Sequence, residues 1–173
     1  MRLFLERGYA DTTVADVAAA AEVSSMTVFR HFPTKEALVL TDDYDAAIVA
    51  RIASRPAGEP LLRRILGSLA DGVAELPEAQ RALMLARVRL VRDTPALRAR
   101  HWETQYQTRC AIVDGLLGEQ PDPATRFRAQ VAADAALAAA STAIFRWVDE
   151  DGATDLAELL REALAALTDE VAR

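Results

Sequence analysis

Apolar residues recur at helical spacing along almost the whole 173-residue chain, and this periodicity is the feature that most constrains its fold. No stretch of useful length alternates apolar and polar residues, and no Asn-Gly hairpin signal occurs. Glycine and proline residues separate the helical pieces. The sequence therefore predicts an all-α protein. The predicted helices run over residues 1–7, 13–21, 24–31, 34–54, 59–76, 78–92, 94–117, 123–149 and 154–172.

Composition excludes several classes of protein. Hydrophobic residues make up 51% and charged residues 27% of the chain, which argues against disorder. A single cysteine, Cys110, rules out a disulfide framework within the chain, and the two histidines lack metal-ligand spacing. We find no apolar run of about 18 residues and expect no signal peptide. We therefore predict no metal, no cofactor and no membrane partner.

The lengths of the predicted helices divide the chain. The first three are short, and short helices are stable only when packing holds them. A small three-helix head followed by a six-helix body is the architecture that this pattern predicts, with the boundary between residues 1–40 and 41–173. Because residues 34–54 contain no glycine and no proline, we expect one continuous helix to connect the two parts.

The head has the pattern of a helix-turn-helix. Thr13 and Asp16 form a capping box at the start of one short helix, and Ser24 can cap the next. In such a motif the second helix enters the major groove of DNA. Val28 and Phe32 are predicted to point inward and Phe29 to be intermediate. The residues predicted to point outward are Ser25, Met26, Thr27, Arg30 and His31.

Three stretches then resemble the TetR family of one-component bacterial regulators: GYADTTV at 8–14, AEVS at 21–24 and VFRHFPTKE at 28–36. The resemblance implies an all-α homodimer whose heads bind a palindromic operator and whose bodies bind a small ligand that releases the DNA. It therefore implies a cytoplasmic repressor, associated with the nucleoid when it is bound to DNA.

The resemblance also implies roles for single residues. Thr13, His31 and Lys35 would contact phosphate, while Ser25, Met26 and Thr27 would face the groove. Packing inside the head is the alternative for His31. The predicted DNA-binding residues are Thr13, Ser25, Met26, Thr27, Phe29, Arg30, His31 and Lys35.

The head departs from the family pattern in three ways. Glu22 stands where the family usually has glycine, so a turn that needs positive φ would be strained. Phe29 replaces a tyrosine and cannot donate a hydrogen bond to phosphate. The first helix is curtailed, and residues 1–40 carry four basic and five acidic side chains, a poor match for DNA phosphates. We expect the true start to lie upstream of Met1; otherwise DNA binding is weak, and a dimerisation protein that binds no DNA is the alternative.

In the body, Arg87 falls on the apolar side of its predicted helix. A buried guanidinium must be paired, and Asp134, on a helix face with Phe127, Val131, Ala138 and Phe145, is the candidate partner. Alternatively, Arg87 and Asp134 are polar anchors in an apolar ligand pocket. Trp102 and Tyr106 either belong to the core or line that pocket. The predicted ligand-binding residues are Arg87, Trp102, Tyr106, Asp134 and Phe145.

Two further patterns concern the body. Alanine is dense over residues 129–143, and with the leucines of the last helix it predicts a dimer interface formed by the last two helices of each subunit; an Ala-rich helix pair within one chain is the alternative. Residues 87–100 resemble the effector domain of mycofactocin-associated TetR regulators, which respond to acyl-CoA, and this implies an apolar or acyl ligand. We find no nucleophile–base pair, carboxylate dyad or glycine-rich phosphate loop, so the chain is not predicted to be an enzyme.

Overall fold

The computed structural model describes residues 1–41, 44–117 and 121–171, and within these ranges it contains helices and no strand. The all-α prediction is confirmed. The helices are α1 (Arg2–Arg7), α2 (Val14–Ala20), α3 (Ser25–His31), α4 (Ala37–Leu40), α5 (Tyr44–Ser54), α6 (Leu61–Ala74), α7 (Glu78–Asp93), α8 (Pro95–Leu116), α9 (Pro123–Asp149) and α10 (Leu156–Val171).

The prediction of one continuous helix over residues 34–54 is wrong. The Thr34 hydroxyl accepts a hydrogen bond from the backbone N of Ala37 (3.2 Å), which caps the single turn of α4. That turn ends at Thr41, whose backbone is extended (φ −77°, ψ 127°). Residues 42 and 43 lie outside the described residues. A β-branched threonine has a weak helix preference, and glycine and proline are not the only residues at which a helix ends.

The chain divides by packing into two compact units, Met1–Asp42 with Ala86–Thr104 and Asp43–Leu85 with Gln105–Arg173. The first unit is thus the predicted head together with the end of α7 and the start of α8. Its core is formed by one large side chain from each of four helices. These buried residues are Phe4, Val39, Val91 and Leu97.

The second unit is built around α6, which packs against α5, α9 and α10. One face of α6 is buried, and Ile65 and Leu66 are fully inaccessible to solvent. The leucines of α10 that face this core, Leu156, Leu159 and Leu160, are buried as well. Burial of each such side chain contributes about 2 kcal/mol to stability.

Helix α9 contributes a stripe of small side chains to the same core. The buried members, spaced by three or four residues, are Ala129, Ala133, Ala136, Ala140 and Ala143. Small side chains let α9 approach α6 and α10 closely, and α9 packs against both. These five alanines and Leu156, Leu159 and Leu160 of α10, all predicted to form a dimer interface, are therefore buried within the chain.

The opposite face of α9 points to solvent. Phe127 is 66% and Val131 52% exposed, and Asp134 and Ala138 on the same face are exposed too. The sequence grouped these residues on one face correctly, but their predicted inward orientation is wrong because the alanine stripe occupies the core. By length and composition α9 is apolar enough to cross a membrane. Its buried alanine stripe is the arrangement of a core helix.

Candidate nucleic-acid interface and ligand site

Helices α2 and α3 pack against each other as a helix-turn-helix. The predicted capping box starts α2: the backbone N of Thr13 donates to Asp16 Oδ2 (2.8 Å), and the backbone N of Asp16 donates to Thr13 Oγ1 (3.1 Å). The Thr13 hydroxyl and backbone N–H hold the pKa of the Asp16 carboxyl below its usual value. Thr13 is exposed, so its position allows contact with a partner as well as capping.

The turn between the two helices contains the strain that the sequence predicted. Glu22 has φ +56°, in the left-handed region that favours glycine. Two hydrogen bonds fix this conformation, from the backbone N of Glu22 to Ala19 O (3.1 Å) and from that of Val23 to Ala18 O (3.0 Å). The turn therefore holds α2 and α3 in the helix-turn-helix arrangement although it lacks glycine.

Helix α3 presents a largely exposed surface. Ser24 caps it by accepting a hydrogen bond from the backbone N of Thr27 (3.1 Å), and Val28 points into the core with 7% exposure. Met26 is 78% exposed, and Phe29, predicted to be intermediate, is 46% exposed. Among the other predicted contacts, Arg30 and His31 are exposed, and Ser25 and Thr27 are half-buried.

Lys35 lies against the loop that precedes α2. Its Nζ atom donates to the backbone oxygens of Tyr9 and Ala10 and lies 4.3 Å from the centroid of the Tyr9 ring. The lysine predicted to contact phosphate thus has partners inside the head.

The Tyr9 hydroxyl donates to Glu36 Oε1 (2.9 Å) and so links the same loop to the start of α4. Burial, with the adjacent Glu36 carboxylate, raises the pKa of Tyr9 above its usual range. The Glu36 pKa is lowered by hydrogen bonds from its own backbone N–H and from Tyr9. Sequence patterns give no sign of this pair, because the two residues are 27 positions apart.

Thr12 is a second residue of the head whose role was not predicted from the sequence. It is fully buried, and its hydroxyl donates to Gly8 O (2.9 Å) and Leu3 O (3.2 Å). It therefore fixes the loop between α1 and α2. The sequence contains one indication of such a role. Thr12 directly precedes the capping residue Thr13, so Thr12 does not itself cap a helix.

The five predicted ligand residues are divided between the two units, with Arg87 and Trp102 in the first and Tyr106, Asp134 and Phe145 in the second. Arg87 is half-buried, and Trp102 in the same unit is 74% exposed. In the second unit Tyr106 is 60% exposed and Phe145 is half-buried. Asp134 is exposed and pairs with Arg109 (3.4 Å). Arg87 and Asp134 belong to different units, and their pairing stays a prediction.

A small cavity lies between α8 and α9 in the second unit, with a volume of about 60 Å³. Its lining residues are Arg109, Cys110, Val113, Asp114, Arg126 and Gln130. Sites for drug-sized ligands usually measure several hundred Å³, so this cavity is too small for an acyl chain. Cys110 is half-buried.

Comparison with known proteins agrees with both parts of the chain. Residues 1–41 match the family model described as bacterial regulatory proteins of the tetR family, and residues 59–172 match that of the MftR C-terminal domain. The HTH-type transcriptional regulator TcmR of Streptomyces glaucescens is 44% identical over 126 residues. This match includes 68% of the chain and 53% of TcmR, so the chain spans about half the length of that relative.

A solved structure extends the likeness to almost the whole fold. Thermus thermophilus FadR, a TetR family transcriptional repressor in complex with lauroyl-CoA, superposes with a TM-score of 0.54 at 26% identity. The match covers 97% of this chain and 89% of FadR. Regulators of this type are DNA-binding proteins and not enzymes. With a helix-turn-helix head and an MftR-type C-terminal domain, the chain belongs to the TetR family of transcriptional regulators.

Proposed function

We propose that the chain is a repressor that binds a palindromic operator as a dimer in the cytoplasm and leaves it when a small apolar or acyl-type effector binds its body. The exposed surface of α3 in a head that matches the tetR family model over residues 1–41 is the observation that carries this proposal. Exposed Met26 would meet base edges, and half-buried Ser25 and Thr27 would face the groove beside it without reading bases. Thr13, Arg30 and His31 would lie along the DNA backbone, and Phe29 would lie beside Met26 at the edge of the groove.

The effector class is supported by FadR, which holds lauroyl-CoA in a fold similar over 97% of this chain. Release then follows from a shift between two populations: DNA favours dimers whose recognition helices are about 34–36 Å apart, and the effector favours another spacing. Arg87 and Phe145, both half-buried, stay our candidates for ligand contact. Trp102, Tyr106 and Asp134 are weaker candidates because all three are exposed.

A mobility-shift assay with DNA from around the chain's own gene tests the proposal. We expect a sequence-specific shift that lauroyl-CoA reverses and that coenzyme A alone leaves in place. If no duplex is bound specifically, the chain is instead a dimerisation protein that binds no DNA. If a specific shift resists every acyl-CoA length, the effector class is wrong and only the DNA-binding part of the proposal stands.

The phosphate role of Lys35 has its own test. Lys35→Ala should weaken binding to all sequences alike and reduce the salt dependence of binding by about one phosphate contact. Because Lys35 also donates to Tyr9 O and Ala10 O, the variant's unfolding is measured in parallel. If the salt dependence of binding is unchanged and only the stability falls, Lys35 makes contacts within the head and none with phosphate.

A further inference from the structure

A strip of apolar side chains lies exposed on the helix-turn-helix. Met26 (78% exposed) and Phe29 (46%) are neighbours on the surface of α3, and Val23 (42%) precedes them in the turn. In the same unit Phe4, Val28 and Val39 are buried in the core, while Leu5 and Trp102 are exposed on α1 and α8. The strip thus has the character of a contact surface on the element that, by the proposed function, meets DNA.

The polar groups beside the strip are poorly placed to read bases. The Thr27 hydroxyl lies 2.9 Å from Ser24 Oγ, which also caps the helix, so these two hydroxyls bond each other. Ser25 is half-buried. Bidentate reading of guanine or adenine needs Arg, Lys, Asn or Gln. Arg30, near the C-terminal end of α3, is of this type, but residues 23–28, which include the N-terminal half of α3 that meets base edges, contain none.

An apolar side chain in the major groove recognises one feature of the base pairs, the C5-methyl group of thymine. Methionine suits this contact because its thioether is flexible and polarisable. We propose that Met26 reads a thymine methyl group in each operator half-site, with Val23 and Phe29 bordering the contact. This inference rests on the proposed function and adds the base that the recognition helix selects.

Deoxyuridine substitution tests the inference, because it removes the methyl group and leaves base pairing intact. An operator duplex is first selected from random DNA with the full chain, and each thymine is then replaced in turn. We expect one position in each half-site at which the replacement raises Kd about fourfold. In Met26→Ala the same replacement should leave Kd unchanged.

Leu5→Ala is the matched control, since Leu5 is an exposed apolar residue (46%) of the same unit on α1; it should keep the fourfold thymine preference. Met26 is so exposed that its truncation should leave the fold intact, which circular dichroism checks. Specific operator binding without any thymine-sensitive position overturns the inference and leaves the proposed function standing. A preference that persists in Met26→Ala overturns it too. Failure to select any operator overturns the proposed function and the inference together.

Discussion

Glu22 shows how a single backbone angle limits the stability of the head. At φ +56° an L-residue pays roughly 1–2 kcal/mol that glycine avoids. Part of this gain is lost because glycine has more conformational freedom in the unfolded chain. We therefore expect Glu22→Gly to raise the free energy of unfolding by up to about 1 kcal/mol. Urea denaturation followed by circular dichroism measures the change.

Ala21→Gly is the matched control, because Ala21 is exposed and has φ −93°. Glycine relieves no strain there and should lower stability by about 0.5–1 kcal/mol. Equal effects of the two glycine substitutions would contradict the argument from φ.

The Tyr9–Glu36 hydrogen bond predicts a pH dependence. Because the pKa of Glu36 is lowered in the folded state, its contribution to stability is full above the usual value of about 4.5 and is lost as the pH falls through the folded value. Tyr9→Phe removes one of the hydrogen bonds that lower this pKa. We expect the variant to be about 1 kcal/mol less stable at neutral pH and to lose less stability than the wild type on acidification.

Urea midpoints between about pH 7 and pH 3 measure both effects. Tyr106→Phe serves as the control, since Tyr106 is 60% exposed and lies in the other unit. It should change stability by less than about 0.5 kcal/mol. If Tyr9→Phe loses stability on acidification as steeply as the wild type, the hydrogen bond from Tyr9 does not lower the Glu36 pKa.

At the scale of elements, the alanine stripe of α9 fixes how closely three helices pack. Ala136 is fully buried where α9 meets the core of the second unit. Ala136→Leu should overpack this core and lower stability by about 1–3 kcal/mol. Ala124→Leu, on the exposed first turn of the same helix, should change it by less than about 0.5 kcal/mol. Thermal or urea unfolding distinguishes the two, and an Ala136→Leu variant as stable as the wild type would mean that α9 packs more loosely than the structure shows.

The same helix shows what periodicity predicts and what it leaves open. Spacing placed Phe127, Val131 and Asp134 on one face, and they do share it. Spacing could not decide which of two apolar faces is buried, because alanines and larger residues both count as apolar. Packing decides it: a helix between two neighbours buries its small side chains.

Local chemistry made other predictions reliable. The Thr13 capping box and the Ser24 cap join residues three positions apart, and both form as predicted. The partners of Asp134 and Lys35 depend on contacts 25 or more positions away, between Asp134 and Arg109 and between Lys35 and Tyr9. Apolar periodicity gives no information on contacts between residues so far apart in the sequence. The sequence therefore identified Asp134 and Lys35 but not their partners.

For the whole molecule, burial of the alanine stripe determines which surface is left for a second copy. The alanine stripe of α9 packs within the chain, so we expect a dimer that uses α9 to use its other face, where Phe127 and Val131 are exposed. Large apolar side chains at the centre of an interface often contribute more than about 1 kcal/mol each. The double variant Phe127→Glu, Val131→Glu should therefore raise the dimer dissociation constant at least about a hundredfold.

Sedimentation equilibrium measures this constant, and circular dichroism checks that the fold is retained, as expected for side chains 66% and 52% exposed. Leu83→Glu is the control, because Leu83 is a large apolar residue of similar exposure (48%) on a different helix, α7. It should leave the dimer intact. In an interface formed by this face, the two added carboxylates of each copy would face those of the other copy without water to screen them. If the double variant still dimerises as tightly as the wild type, the subunits therefore meet through another surface.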